Sequence, residues 1–440
     1  MASDLDMSFV NVSLPLRASG CLYEVGIAGG KWSYVRKQET PPAEGTVVSL
    51  EELTPEQAAD GIAVDLEGRL LLPGLVDSHM HLDKAFTIQS VGNRSGTLRE
   101  AIENYSAAAP GFTREQIKDR MREAIRQAAA YGTTSIRSHL DFNCRESTDV
   151  AMRTVYAALE LKEEMQDVME LQFFPMCPYD PGARGVAEAY EEALKLGLDG
   201  VGGAPHLSTD PEGSIAYLFR LADKLGLPID LHADENDDPA IRTVEFIAEQ
   251  TLRYGFQGRV ATGHLCSLSA MDHPTAERVM RKMADAGLRA ITLPGANLYL
   301  QGRGDRGLVR RGVTRVKELV EAGVPVAVAS DNIQDPFHPF GRGDLLQIGL
   351  LSAYASHLAS EQELLLLLRM MTEVPAAILG LKDYGVQPGQ AADFVIFDAR
   401  TVHDLLSWLP AGRWVGRKGK WISISREHRW SRESRERIAK

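Results

Sequence analysis

Cysteine is scarce in this chain, with four among 440 residues. Cys21, Cys144, Cys177 and Cys266 are scattered and form no C-x-x-C pair. That spacing argues against a disulfide framework and leaves reduced thiols in a cytoplasmic protein as the expectation. Positive charge is in deficit too: 48 Lys and Arg stand against 60 Asp and Glu, for a net charge of −12. A nucleic-acid partner is therefore not expected, because phosphate binding needs a basic surface. Long hydrophobic runs are missing as well. The most apolar stretch, Leu364 to Leu368, is closed by Arg369 and is too short to span a bilayer, so no membrane partner is expected. The leading M-A-S-D-L-D-M is acidic where a signal peptide is basic, and no apolar segment follows it. There is no low-complexity linker and no short repeat. What remains, at 44% hydrophobic and 25% charged residues, has the composition of an ordinary globular protein. It is long enough for one large domain with a smaller companion.

From about residue 71 to 385, strand-like and helix-like segments alternate. Strand candidates are 71–78, 133–140, 169–175, 199–204, 228–233, 259–264, 289–293 and 324–330, often entered from a Gly that ends a helix, as in Y-G-T-T-S-I-R. Between them run amphipathic segments. In 113–130, Ile117, Met121, Ala124, Ile125 and Ala128 fall at helical spacing, with Thr113 and Gln116 placed to form a capping box. Eight strands alternating with helices is the pattern of an α/β fold of the (β/α)8 barrel type, which carries its chemistry at the C-terminal ends of the strands. The flanks, 1–70 and 386–424, read as short strands and turns that can pair into one small β domain built from both chain ends. The tail, 425–440, is highly charged, as an exposed helix or a disordered segment would be.

The strand ends hold most of the chemistry. In L72-P-G-L-V-D-S-H-M-H-L-D-K84, His79 and His81 stand at i and i+2 of a strand, so both imidazoles face one side. Strand two ends in Ser138-His139-Leu140-Asp141, strand five in His232-Ala233-Asp234-Glu235, strand six in His264 and strand eight in Asp331. A lone strand-end histidine is ordinarily a hydrogen-bonded structural residue. An H-x-H pair joined by His232, His264 and Asp331 makes coincidence the weaker explanation. Three neutral imidazoles and a carboxylate suit a divalent ion such as Zn²⁺ or Fe²⁺. His206 also lies at a strand end, without an assignable role. His273, His338, His357, His403 and His428 fall in helices or loops and read as structural or exposed, and Cys177 and Cys266 as buried thiols.

These residues carry a resemblance. H79-M-H81-L-D-K is similar to the metal motif of the amidohydrolase superfamily, in the branch containing bacterial cytosine deaminase and N-isopropylammelide isopropylaminohydrolase. The similarity continues through V-G-G-A-P-H206, L-H232-A-D-E235, the segment from Asn297 to Leu319, S-D331-N-I-Q-D-P-F-H-P-F-G and Y384-G-V-Q-P-G-Q-A-A-D-F. It implies a barrel flanked by a small β-sandwich, with one metal ion held by His79, His81, His232 and Asp331. It implies Glu235 as proton shuttle and His264 as a partner that polarises or orients the attacking water. No lysine stands at the end of strand four to bridge a second ion as a carbamate. The H-x-E and P-C-x-x-C signature of another deaminase class is absent.

The departures fall where a substrate is read. Met176 stands in place of a glutamine that hydrogen-bonds the pyrimidine edge in cytosine deaminase, and offers only a weak thioether acceptor. Asn332 replaces an acid, Phe337 a tryptophan and Tyr299 a histidine. Lys84, as substrate ligand or as salt-bridge partner of Asp83 or another acid, and Gln301 complete the candidate substrate-binding set with Met176, Asn332 and Phe337. A pocket that leaves a buried polar group of cytosine unpaired loses roughly 1–3 kcal/mol. The leading expectation is a metal-dependent hydrolase that cleaves an exocyclic C–N bond of a small nitrogen heterocycle, such as a pyrimidine or triazine. The alternatives are hydrolysis of an N-substituted or cyclic amide, and a catalytically silent scaffold, against which the complete residue set argues. Barrels of this kind are commonly homo-oligomers, which sets the expectation for assembly.

Overall fold

The computed structural model describes residues 6–18, 20–42, 47–54, 63–144, 147–178 and 185–427. The tail beyond 427, with His428, lies outside the described residues. The chain divides into two compact units, Met1–Pro73 with Gly385–Lys440, and Gly74–Tyr384. Among the described residues no helix is long and apolar enough to cross a membrane.

Six strands precede the barrel: β1 (Met7–Ser13), β2 (Leu22–Ala28), β3 (Lys31–Lys37), β4 (Val48–Ser49), β5 (Ala63–Asp65) and β6 (Leu70–Pro73). The barrel strands are β7 (Leu75–Met80), β8 (Thr133–Leu140), β9 (Glu170–Cys177), β10 (Val201–Gly203), β11 (Ile229–Ala233), β12 (Val260–His264), β13 (Arg289–Thr292) and β14 (Val326–Val328). Three more follow: β15 (Phe394–Phe397), β16 (Arg413–Arg417) and β17 (Lys420–Ser425).

The first unit is a mixed nine-stranded sheet in the order β17-β16-β15-β6-β1-β2-β3, with β5 joining β1 to β4. The two chain ends meet where β15 runs antiparallel to β6, Phe397 opposite Leu70. The sheet's core is aromatic. Phe394 is fully buried and lies edge-on to Phe9 at 5.2 Å and to Trp421 at 5.3 Å. Gly416 is required beside it, since a Cβ there would sit 2.3 Å from the Phe394 ring.

In the second unit, β7 to β14 lie in sequence order in one eight-stranded parallel sheet, the (β/α)8 barrel expected. The sheet closes on itself where Asp331 N donates to His79 O at 2.8 Å and His81 N donates to Asp331 O at 3.1 Å. The helix Arg114–Ala130 carries the capping box of Thr113 and Gln116, and buries Ile117, Met121, Ala124, Ile125 and Ala128 as its spacing requires. One strand candidate is corrected. The run 71–78 is two strands, parted at Gly74: Leu70–Pro73 enters the terminal sheet and Leu75–Met80 enters the barrel. Both halves are buried on both faces, so no change of hydrophobic period marks the break in the sequence.

Emptying the aromatic core of the terminal sheet by Phe394→Ala is expected to cost about 3–5 kcal/mol. Differential scanning calorimetry checks this as an earlier-melting transition.

Candidate active site

Strand periodicity builds the site. Asp77, His79 and His81 alternate along β7 and past its end, Arg137 and His139 along β8, and Asp230 and His232 along β11. All are buried. The ring nitrogens converge: His79 Nε2 and His81 Nε2 each lie 3.1 Å from His232 Nε2. Asp331 Oδ1 stands 3.4 Å from His81 Nε2 and 3.8 Å from His79 Nε2. Donors held at about 2.0–2.2 Å from a shared ion stand roughly 3.3–3.6 Å apart in a tetrahedral arrangement, so this set fits a divalent cation.

Protonation states agree. Burial pushes His79 down to about 3, and His81 and His232 fall well below the usual range for the same reason, reinforced by neighbouring cationic groups and imidazoles. Neutral imidazole is the ligating form. His81 Nδ1 donates to the His139 carbonyl at 3.1 Å, which leaves the lone pair on Nε2. Burial raises Asp331 well above the carboxylate range, and Glu235 and Asp335 nearby raise it further. A divalent cation here would favour the ionised carboxylate that burial alone disfavours. The residues present fit such an ion.

The strand-end backbone is bent to present these groups. His264 (φ 69°), Asp331 (φ 62°) and Asp234 (φ 54°) are left-handed, a conformation disfavoured for residues with a Cβ. It is held in place by Leu265 N donating to Ala233 O at 2.9 Å, and by Asp234 accepting from Thr243 N at 2.7 Å and Thr243 Oγ1 at 2.6 Å.

Glu235 Oε1 lies 3.6 Å from His264 Nδ1. Burial raises Glu235 to about 8, against a smaller lowering by Lys84. Asn297 Nδ2 donates to His264 Nδ1 at 3.0 Å, so the His264 proton sits on Nε2, a buried atom without a partner among the described residues. His206 Nδ1 donates to His232 O at 3.1 Å, a supporting contact for a residue without an assignable role in the sequence.

Glu235, His264, Asp331, His81 and His232 border a cavity of about 340 Å³. Of the substrate candidates, Lys84, Met176, Asn332 and Phe337 also line it. Leu98, Ile102 and Phe142 add an apolar wall. Lys84 Nζ sits 3.5 Å from Asp141 Oδ1, and over the rings of Phe337 at 4.8 Å and Tyr105 at 5.3 Å. Its salt-bridge partner is therefore Asp141; the Asp83 carboxylate instead accepts from Asp141 N at 2.9 Å. Asn332 Nδ2 is committed to Asp335 Oδ2 at 2.6 Å. Gln301 is not among the residues that line this cavity, and its side chain packs against Gly312. Tyr299 is likewise outside the lining and stacks with Arg303. Burial pushes the thiols of Cys177 and Cys266 well up, as expected of inert sulfurs. Sequence reasoning missed Asn297, two residues before Tyr299 in the same segment, and gave no role to His139 or Asp141.

A family model described as the amidohydrolase family matches residues 88–407. A pterin deaminase from Rhizobium rhizogenes is 33% identical over 408 residues, covering 91% of each chain. An N-isopropylammelide isopropyl amidohydrolase from Pseudomonas sp. is 28% identical over 408 residues, covering 91% of this chain and 92% of that one. The crystal structure of 5-methylcytosine deaminase from Klebsiella pneumoniae with 5-fluorocytosine has a TM-score of 0.87 and 30% identity, covering 97% of this chain and 99% of that one.

In chelator-treated, metal-free protein, Glu235 binds its proton more tightly folded than unfolded. Its folded value of about 8 exceeds an unfolded value near 4.5, so its contribution to stability falls as pH rises from 4.5 to 8. Glu235→Gln is expected to flatten that slope, and the metal-free variant to melt above the metal-free parent at pH 8. Thermal melts at pH 5 and pH 8 check this.

Proposed function

The chain belongs to the amidohydrolase family, and from that membership we propose that it removes an amino group from a ring carbon of a small nitrogen heterocycle. It is a metal-dependent hydrolase of C–N bonds. In the proposed site His79, His81, His232 and Asp331 hold one Zn or Fe ion. The observation that carries the reading is the convergence of His81, His232 and Asp331 of that donor set with Glu235 and Lys84 on one small, largely apolar cavity, with His79 clustered behind them. A cavity near the lower end of the range for small-molecule sites suits a ring of one or two cycles.

When bound, the ion lowers the pKa of water toward neutrality. The chain's own groups then do the rest. Glu235 takes a proton from the attacking water and delivers it to the ring nitrogen. As the tetrahedral carbon collapses, Glu235 passes the remaining proton to the departing amine, so that water and the aminoheterocycle give ammonia and the oxo-heterocycle. A carboxyl that burial raises to about 8 can both take up and give back a proton near neutral pH, as a shuttle must. His264, its tautomer set by Asn297, donates from Nε2 to the water or the developing oxygen. Lys84 donates to a ring carbonyl, and Phe337 packs against the ring face. Met176 and Asn332, one apolar and one already engaged with Asp335, support a substrate read differently from cytosine. The relatives act on pterin, N-isopropylammelide and 5-methylcytosine, as their names say. All three carry an amino-substituted ring carbon beside a ring nitrogen, and that is the proposed substrate class. Four free cysteines support a cytoplasmic setting. Assembly as a homo-oligomer rests on the family resemblance alone.

Two measurements test this. Metal-loaded protein is expected to release ammonia from at least one of pterin, 5-methylcytosine, cytosine, isocytosine, ammelide and creatinine, or an alkylamine from N-isopropylammelide. Glu235→Gln should lower kcat by about 10²–10⁴-fold. Ring opening without amine release would replace the reading with cyclic-amide hydrolysis. Separately, His81→Ala and Asp331→Ala are expected to purify with far less metal than the parent, as read by inductively coupled plasma mass spectrometry. Full metal content in both would remove them from the ligand set.

A further inference from the structure

Inside the barrel, next to the donor set, lies a second polar group that no step above uses. One ring nitrogen each of His79 and His139 and one carboxylate oxygen of Asp230 lie within 4.8 Å of one another. All three side chains are fully buried. His139 Nε2 stands 3.7 Å from Asp230 Oδ1, too far for a direct hydrogen bond and close enough for one water to bridge. Among the described residues, His79 Nδ1, both His139 ring nitrogens and Asp230 Oδ1 have no hydrogen-bond partner. Buried polar atoms without partners are costly unless something joins them.

The other Asp230 oxygen is fully committed. Oδ2 accepts from Arg137 Nη1 at 2.7 Å. Arg137 is fixed in turn by Gln172 Oε1 at 2.8 Å, Ile378 O at 3.0 Å and the Phe174 ring at 4.2 Å. A guanidinium so placed keeps the carboxylate charged and oriented, and it repels a second cation from the group. The ligand this cluster suits is therefore water.

The proton inventory gives the cluster its role. A histidine that offers Nε2 to an ion carries its proton on Nδ1, and that buried N–H needs an acceptor that fixes the ring and raises its basicity. We infer that Asp230 is a positioning residue for His79, reaching it and His139 through one buried water, with Arg137 holding the carboxylate in place. The inference rests on the reading of His79 as a metal ligand.

The test uses the metal-loaded protein and two variants, Asp230→Asn and His139→Gln. The second leaves the Arg137–Asp230 pair intact and keeps the test readable if the first fails to fold. Both are expected to lose metal to a chelator about 10–100-fold faster than the parent, and the visible bands of their cobalt-substituted forms should shift. A general loosening of the barrel would lower the melting temperature of the metal-free protein without moving those bands. A high-resolution crystal structure of the metal-loaded parent should show one water in contact with Asp230 Oδ1 and His139. Unchanged chelation rates and cobalt spectra in folded His139→Gln, or no water at that place, overturn the inference. If the parent binds metal and the variants hold it equally well, only this inference fails. If the parent takes up no metal, the ligand reading fails with it.

Discussion

Three imidazole nitrogens and a carboxylate oxygen stand 3.1–3.8 Å apart at the ends of β7, β11 and β14, buried from solvent. In water such a cluster would be of little account. Buried, it forces the rings neutral and pushes the acids up, because a low-dielectric interior disfavours every isolated charge. The left-handed turns at His264 and Asp331, the clamp of Asp335 on its loop and the commitment of Asp234 to Thr243 all hold groups where they would otherwise repel or relax. The barrel supplies a rigid ring of strand ends, and the cation supplies the compensation that the chain itself lacks.

The cavity wall is mostly apolar, and its polar members are already partly engaged: Lys84 with Asp141, Asn332 with Asp335. A substrate must offer hydrogen bonds that improve on these, or its own polar edge is stranded at a cost of roughly 1–3 kcal/mol. Lys84 is buried between two aromatic faces and one acid at the cavity wall.

The strand-end chemistry was legible because it follows period two. His79, His81, His232 and Asp331 stand at positions that alternation and the barrel topology together turn inward, and the structure brings them into one cluster. Glu235 was named through the family resemblance, and its place three residues beyond His232 agreed with that. What the sequence hid lies in loops and in the cross-strand partners. Gln301 looked like a contact because it sits in the same loop as Tyr299, but its side chain packs against Gly312. Asn297 faces His264 through a helix whose orientation only packing decides. Arg137 and Asp230 are 93 residues apart, and nothing local in either strand announces that they meet. The split of 71–78 at Gly74 was invisible for a related reason: both halves are buried on both faces, so the hydrophobic signal never changes.

The seam of the barrel is also part of the donor set. Asp331 closes the ring against His79 and His81 by backbone hydrogen bonds, and Asp77 ties the same seam by accepting from Ser330 N across 253 residues of chain. The first and last strands must therefore find each other before the fourth donor is in place. Contacts so distant in sequence form late and slowly. An ion held by all four donors would bind only once that circle is shut, and its binding free energy would then add to the closure of the seam.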